Sequence, residues 1–234
     1  MTKTEITLIT GASKGIGRFL AESFLNKGHS VIGCSRGVSD LIHPDYLHLA
    51  ADVADEAQVK KVFQYIRKKF GRLDNLINNA GIASMNHTLL TPTKSLVSVL
   101  NTNVLGTFLF SREAVKLMMP SKHGRIVNFS TVAVPLRLDG EAIYSASKAA
   151  IEQLTRVWAK EFSEFGVTVN SIGPAPVDTA LIKNVPEAKI KKIIDLQAIK
   201  RLGCFQDVEN VVDFFLSPKS DFITGQTIYL GGLS

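Results

Sequence analysis

Cysteine is scarce in this sequence: its 234 residues include only Cys34 and Cys204, and neither belongs to a CxxC pair. No histidine has the spacing to a cysteine that is typical of zinc ligands, so we expect neither a disulfide framework nor a metal site. Two isolated cysteines are typical of proteins that fold in a reducing, intracellular compartment.

Long apolar runs are also missing, although 45% of the residues are hydrophobic. No segment reaches the roughly 20 apolar residues that a membrane-spanning helix needs. Residues 1–5 are polar and lead directly into an apolar stretch, without the pattern of a signal peptide. We therefore expect a soluble, cytoplasmic protein, and a chain of this length is expected to form one domain with a sizeable core.

Positive charge is not concentrated in any single run. The net charge is +6, but the 27 lysines and arginines are spread along the chain. Proteins that bind nucleic acid usually gather their cations in one patch or arm. The distribution favours an enzyme that binds anionic small molecules over a nucleic-acid-binding protein.

Short apolar segments alternate with helical patterns along most of the chain. Seven segments have the character of buried strands: 5–10, 30–34, 46–50, 73–78, 125–130, 167–172 and 227–230. This alternation predicts the α/β class, with one seven-stranded parallel sheet in a doubly wound Rossmann fold and helices on both faces. Residues 174–203 do not follow this alternation of strands and helices, because they contain prolines and lysines around a predicted helix. We interpret them as a substrate lid.

A glycine-rich turn follows the first predicted strand. Residues 10–17 read T-G-A-S-K-G-I-G and place Gly11, Gly15 and Gly17 between a strand and a helix. Glycines there let the backbone approach a pyrophosphate, whose charge is favoured by the free N–H groups of the helix N-terminus. The spacing GxxxGxG differs from the common GxGxxG, and a glycine-rich connection without a ligand is the alternative. Its position after the first strand favours phosphate binding.

Tyr144 and Lys148 form a YxxxK pair at the start of a predicted helix. A spacing of four residues places a hydroxyl and an ammonium on one helical face. A lysine cation at about 5 Å would lower the pKa of a tyrosine by most of the roughly three units that a base at neutral pH needs. An isolated YxxxK pair is also common on helix surfaces, so this interpretation depends on its position after the fifth strand.

These motifs, together with N-N-A-G at 78–81 and the closing residues 224–226 and 231–232, resemble the classical short-chain dehydrogenase/reductase family. The resemblance covers nearly the whole chain and is greatest to bacterial β-ketoacyl carrier-protein reductases. It implies that Tyr144 transfers a proton and that an asparagine supports a water chain to Lys148. Asn101 is a competing match for this asparagine, but the N-V-L-G spacing favours Asn103. The resemblance also implies a hydroxyl donor at Thr131, where the family usually has serine. Ser130 is the neighbouring alternative, but adjacent strand residues face opposite ways.

The cofactor implied by the resemblance is a nicotinamide dinucleotide. Ser35 and Arg36 directly follow the second predicted strand and no acid occurs before Asp40, so with Lys14 they favour NADP(H) over NAD(H). Alternatively, both cations are only solvated surface charges. The predicted cofactor-binding residues are Gly11, Ser13, Lys14, Gly15, Ile16, Gly17, Ser35, Arg36, Asp52, Val53, Asn79, Ala80, Gly81, Tyr144, Lys148, Pro174, Val177 and Thr179.

Two features of the sequence depart from the family pattern. Ala175 stands where a glycine usually follows Pro174, and it adopts positive φ less freely, so the lid is expected to leave the sheet at a different angle. Of two basic positions that dock an acyl carrier protein in the resembled reductases, one holds Lys122 and the other holds Phe165. Half of that docking signature is missing.

The leading hypothesis is an NADP(H)-dependent enzyme that reduces a ketone to a secondary alcohol, with a 3-oxoacyl thioester, free or on an acyl carrier protein, as one candidate substrate. An alternative is an enzyme of the same family that acts on a sugar, polyketide or secondary metabolite. A third hypothesis is an NADP-binding sensor or assembly partner without catalysis. The family commonly forms dimers and tetramers, and the apolar helix faces at 104–118 and 149–162 are compatible with this.

Overall fold

Seven parallel strands form one sheet in the computed structural model, which describes residues 4–178 and 185–233. The strands are β1 (Ile6–Thr10), β2 (Ser30–Ser35), β3 (Tyr46–Ala50), β4 (Asn75–Asn78), β5 (Gly124–Phe129), β6 (Val167–Gly173) and β7 (Thr227–Tyr229). Their order across the sheet is β3-β2-β1-β4-β5-β6-β7. The predicted fold class is confirmed, and the order reverses between β1 and β4, where ligands of such sheets bind.

Helices connect most of these strands. Within the described residues they are α1 (Gly15–Asn26), α2 (Glu56–Phe70), α3 (Thr93–Leu100), α4 (Gly106–Met118), a single turn α5 (Ala133–Leu136), α6 (Ala142–Glu161), α7 (Glu187–Leu196) and α8 (Phe205–Leu216). The ends of α2 follow local sequence rules. The Asp55 carboxylate accepts hydrogen bonds from the Ala57 and Gln58 amides, and Gly71 ends the helix at φ +70°.

The core consists of two layers, one on each face of the sheet. Ile6 and Leu8 of β1 face a layer that contains residues of α2, α4 and α6, whereas Ile9 faces residues of α1 and α8. Neighbouring residues of a strand point to opposite faces, so a strand covered on both faces must be apolar throughout. This is why the strands appear in the sequence as short apolar runs.

The predicted strands differ from the observed ones by at most two residues at either end. The largest difference is in β4, which begins at Asn75 instead of residue 73. Asp74 directly precedes it, and its carboxylate accepts a hydrogen bond from the Ile6 amide at 2.8 Å.

The predicted lid contains α7, while residues 179–184 lie outside the described part of the chain. Its two ends meet, because Val177 pairs with Gly203 and the Gly203 amide donates to the Pro176 carbonyl at 2.9 Å. Ala175 is buried and avoids positive φ, which among the described non-glycine residues occurs only at Lys122 and Arg137. Alanine at this position therefore introduces no backbone strain.

No helix in the described ranges combines the length and apolar character needed to cross a membrane. Likewise, residues 4–178 and 185–233 contain no group of three or more histidine, cysteine, aspartate or glutamate side chains that could hold a metal ion.

Candidate active site

The glycine-rich turn connects β1 to α1 at the carboxyl end of the sheet. Gly11 has φ +69° and Gly15 has φ +58°, a backbone conformation that favours glycine. The side-chain amide of Asn79 donates to the carbonyls of Thr10 at 2.9 Å and Gly11 at 3.2 Å. A Cβ atom on Gly11 would lie 2.8 Å from that amide nitrogen, whereas one on Gly15 would meet nothing within 4 Å. The turn is therefore packed on its inner side and open at Gly15.

The amino end of α1 is free to receive an anion. Lys14 is its N-cap residue, makes no side-chain capping hydrogen bond and is exposed, and the first turn contains no acidic residue. The first amides of a helix have no intrahelical acceptor and carry a partial positive charge. The residues present at this end thus fit the pyrophosphate of a dinucleotide.

At the end of β2, the side chains of Ser35 and Arg36 have different surroundings. The Ser35 hydroxyl is buried, donates to the Gly37 carbonyl at 2.9 Å and lies 3.1 Å from His48 Nε2. Arg36 is exposed. Asp40, the first acid after β2, forms an ion pair with Arg18 of α1. No carboxylate in the described residues therefore takes the place expected for a ribose-binding acid.

A polar cleft adjoins this end of the sheet. It is lined by Arg36, Asp52, Ala54, Thr93, Lys94, Val97, Ser98, Asn101 and Thr102. Two predicted residues, Arg36 and Asp52, line this cleft together with residues of α3 that were not predicted from the sequence. The Val53 side chain is buried and packs against Gly106 of α4 instead.

Tyr144 and Lys148 lie in the first two turns of α6. The buried Lys148 Nζ donates to the carbonyl of Phe129, the last residue of β5, at 2.7 Å. Burial lowers the pKa of Lys148 to about 8. The pKa of Tyr144 is raised to about 12, chiefly by burial, against an opposing hydrogen bond from Thr131 and with a contribution from the charge of Glu141.

The sequence analysis predicted that Lys148 lowers the pKa of Tyr144. That direction was wrong, because burial in the folded chain raises this pKa. Burial penalises the charged form of both residues, so it disfavours the tyrosinate and also the lysine cation that was expected to stabilise it. The placement of the two side chains in one site agrees with the prediction. Their electrostatics does not follow from spacing alone.

The two adjacent hydroxyls after β5 point in different directions. Thr131 lines the pocket with Tyr144 and opposes the rise in the Tyr144 pKa, and its Oγ1 accepts from the Ala133 amide at 3.2 Å. The Ser130 hydroxyl instead donates to the Glu152 carboxylate at 2.5 Å. The structure thus brings Thr131, and not Ser130, to Tyr144.

Asn103 is fully buried in a π-helical turn, Asn101–Leu105, between α3 and α4. Its Oδ1 accepts from the Ile82 amide at 2.9 Å, and its Nδ2 donates to the Ile82 carbonyl at 3.0 Å and the Ser147 hydroxyl at 2.9 Å. These bonds connect the segment after β4 to α6. A π-helical turn at such a residue is a common feature of functional sites.

A largely apolar pocket lies beside Tyr144. It is lined by Ile16, Asn79, Gly81, Ile82, Ala83, Met85, Phe129, Ser130, Thr131, Val132, Ala133, Leu138, Glu141, Tyr144, Lys148, Pro174, Ala175, Pro176, Val177, Val185, Ile190 and Ile193. Eight predicted site residues meet here: Ile16, Asn79, Gly81, Thr131, Tyr144, Lys148, Pro174 and Val177. The prediction for Thr179 falls outside the described residues.

Glu141 was not singled out from the sequence, although its spacing offered a signal. It precedes Tyr144 by three residues, which places the two side chains on the same side of a helix. The apolar wall formed by Ile82, Met85 and Leu138 offered no such signal, because these residues come from loops that only the folded chain brings together.

Comparisons with known proteins agree with this geometry. Residues 11–233 match the family described as Enoyl-(Acyl carrier protein) reductase. The chain is 32% identical over 234 residues to the 3-oxoacyl-(acyl-carrier-protein) reductase FabG of Escherichia coli K12, covering 97% of this chain and 96% of the relative. The FabG of Staphylococcus aureus is 31% identical over 242 residues, covering 99% and 98%.

Solved structures show the same likeness. The structure of ElxO with NADP bound superposes with a TM-score of 0.90 at 31% identity and covers 97% of each chain. The aldohexose dehydrogenase AldT of Thermoplasma acidophilum gives a TM-score of 0.90 at 30% identity, covering 99% of this chain and 94% of that protein. The predicted family is confirmed: this chain is an enzyme of the short-chain dehydrogenase/reductase family.

Proposed function

We propose that this enzyme uses NADP(H) to reduce a ketone to a secondary alcohol, with Tyr144 as the proton donor. The main support for the proposal is that Tyr144 and Thr131 line the wall of one apolar pocket, with the buried Lys148 one helical turn further along α6. A proton donor beside a cavity of this character suits a carbonyl substrate.

The assignment of NADP(H) is supported by the charges around the cofactor cleft. The amino end of α1 would hold the pyrophosphate, and the exposed cations Lys14 and Arg36 would receive the 2′-phosphate. The relative ElxO has been solved with NADP and, as a variant with phenylalanine in place of one tyrosine, with NADPH. When bound, NADPH supplies the hydride.

The residues of this chain would handle the proton. The raised pKa of Tyr144, about 12, keeps its hydroxyl protonated at neutral pH, so it can donate to a forming alkoxide. The Thr131 hydroxyl would donate a second hydrogen bond to the same oxygen. The Lys148 cation would offset the negative charge left on Tyr144, while Asn103 fixes the Ile82 main chain and Ser147 beside them.

The substrate class favoured by the pocket is a ketone with an apolar chain. Its wall contains Ile82, Met85, Leu138 and Ile193, which suits the acyl part of a 3-oxoacyl thioester. The relatives named FabG are 3-oxoacyl-(acyl-carrier-protein) reductases. A sugar, as in the aldohexose dehydrogenase AldT, is the second candidate, and a polyketide or other secondary metabolite remains an alternative. An apolar wall would leave most sugar hydroxyls without partners.

Docking of an acyl carrier protein receives less support. Lys122 lies two residues before the start of β5 and thus near the amino edge of the sheet, whereas the pocket lies at the carboxyl edge. Within one chain it does not adjoin the pocket. We also expect a homodimer or homotetramer, which the exposed Leu105 before α4, Phe108 of α4 and Val157 of α6 support.

The test replaces Tyr144 by phenylalanine and follows NADPH absorbance with acetoacetyl thioesters and simple ketones. Loss of the phenolic proton should reduce kcat by about 10³-fold, while the variant should still bind NADPH, as measured by fluorescence titration. Tyr65→Phe on the exposed face of α2 is the matched control and should retain full turnover. Unchanged turnover in Tyr144→Phe, or wild-type turnover with NADH alone, would contradict the proposal. NADPH binding without turnover of any substrate would favour the sensor hypothesis.

A further inference from the structure

Glu141 is a charged residue in the pocket for which the proposed mechanism has no role. It occupies the N-cap position of α6, three residues before Tyr144, and both side chains line the same pocket. Its carboxylate does not cap the helix. Within residues 4–178 and 185–233 this carboxylate makes no hydrogen bond or ion pair.

The surroundings of this carboxylate are mostly apolar. The only other charged residue that lines the pocket within the described ranges is Lys148, whose ammonium donates to the Phe129 carbonyl. Burial raises the pKa of Glu141, and the charge of Lys189 on α7 opposes that effect. The negative charge of Glu141 also raises the pKa of Tyr144, so its field reaches the atom that donates the proton.

A half-buried carboxylate that no described residue pairs discriminates among ligands. A second negative charge in the same cavity would be repelled, because Coulomb interactions are weakly screened away from water. A neutral ketone meets no such repulsion, and an N–H or O–H group on it would give the carboxylate the hydrogen bond that none of the described residues supplies. Rejection of one substrate by repulsion is a common source of specificity.

We propose that Glu141 is a specificity-determining residue that selects neutral 3-oxo esters and thioesters over free 3-oxo acids. The inference rests on the proposed ketone reduction at Tyr144 and adds a substrate class to it. An acid that carries its carboxylate two carbons from the reacting carbonyl would bring that charge close to Glu141. The corresponding ester or thioester has the same carbon skeleton without the charge.

The test compares ethyl acetoacetate with acetoacetate in the wild type and in Glu141→Gln, which keeps the size of the side chain and removes its charge. We expect the wild type to prefer the ester, and the variant to lower the ratio of the two kcat/KM values by about 10-fold or more through a gain on the acid. The matched control is Glu161→Gln at the exposed end of the same helix. It should leave the ratio unchanged.

A second variant is expected to act in the opposite direction. Lys189 partly compensates the charge of Glu141, so Lys189→Gln should increase the preference for the ester. If the wild type reduces the ester and the ratio is the same in Glu141→Gln, Glu141 does not determine specificity, although the proposed function stands. If the wild type reduces neither ketone nor any thioester, the proposed function fails and this inference fails with it.

Discussion

Two glutamates, Glu141 at the N-cap of α6 and Glu152 near the middle of this helix, have opposite environments. Glu152 is buried beneath the site, where its carboxylate accepts hydrogen bonds from the hydroxyls of Ser130 at 2.5 Å and Tyr229 at 2.6 Å. Glu141, at the N-cap, faces the pocket without any such partner among the described residues. A buried charge with partners thus belongs to the scaffold, whereas a charge that no described residue pairs is available to a ligand.

The same contrast applies to the polar residues around these two positions. Behind the site, Asn128 accepts from Asn78 at 2.9 Å and donates to Thr155 at 2.9 Å, which links β4, β5 and α6. At the pocket, burial holds Tyr144 and Lys148 in their neutral forms more than water would. The scaffold region thus gains stability from its polar groups, and the pocket region gives up stability for chemistry.

Replacement of Lys148 by methionine should give the largest effect and would separate the two regions most clearly. We expect kcat to fall by about 10³-fold or more, because no cation would then offset charge on Tyr144. The variant should nevertheless unfold at pH 7 at a temperature equal to or above that of the wild type, since a buried cation is costly.

The pH dependence of the wild-type stability shows whether burial of the Lys148 cation destabilises the folded chain. The folded pKa of about 8 lies below the ordinary lysine value of 10.5, so between these pH values the unfolded chain binds a proton that the folded chain lacks. Wild-type stability should therefore rise with pH across this window relative to Lys148→Met. A gap in Tm between the two proteins that stays constant from about pH 7 to about pH 10 would show that Lys148 is not destabilised by burial.

Replacement of Glu152 by alanine should mainly reduce stability. The hydroxyls of Ser130 and Tyr229 would both lose their acceptor, and the free energy of unfolding should fall by about 3 kcal/mol. Glu152→Gln keeps an acceptor oxygen and should lose roughly half as much. Urea unfolding measures both values, with Glu141→Gln as the matched comparison at less than about 0.5 kcal/mol. Equal losses at Glu141 and Glu152 would remove the distinction drawn between them.

The smallest of these effects is expected at the two adjacent hydroxyls. Thr131→Val keeps the shape of the side chain and removes the hydroxyl proposed to donate to the substrate oxygen, so kcat should fall by about 10²-fold. Ser130→Ala should change kcat only a few-fold and should lower Tm instead, because it leaves Glu152 with one partner fewer. Steady-state kinetics and thermal unfolding of both variants test this division. A larger kcat loss in Ser130→Ala would reverse the assignment.

Much of the fold was predictable because its signals are local. Each strand is a short apolar run, and Gly11 and Gly15 mark the tight turn before α1 through their positive φ. The pairing of Tyr144 with Lys148 follows from helical spacing. These features depend on residues within a few positions of one another, so a single sequence contains enough information to place them.

The Glu152 network could not be predicted in this way. Its partners Ser130 and Tyr229 lie 22 and 77 residues away in sequence, and neither separation has a pattern that marks it. The apolar wall of the pocket likewise joins loops after β4 and β5 to α7. Contacts of this kind depend on strand order, which composition and periodicity do not reveal.

The family, the α/β alternation, the glycine-rich turn and the residues most suited to proton transfer are all visible in the amino-acid sequence. The electrostatics of those residues required the folded chain: burial raises the pKa of Tyr144, against the shift expected from its spacing to Lys148, and lowers the pKa of Lys148. The tertiary structure also decided which glutamate is paired and which faces the pocket. The physical reason is that desolvation depends on everything packed around a group, and the neighbours in sequence are only a small part of that environment.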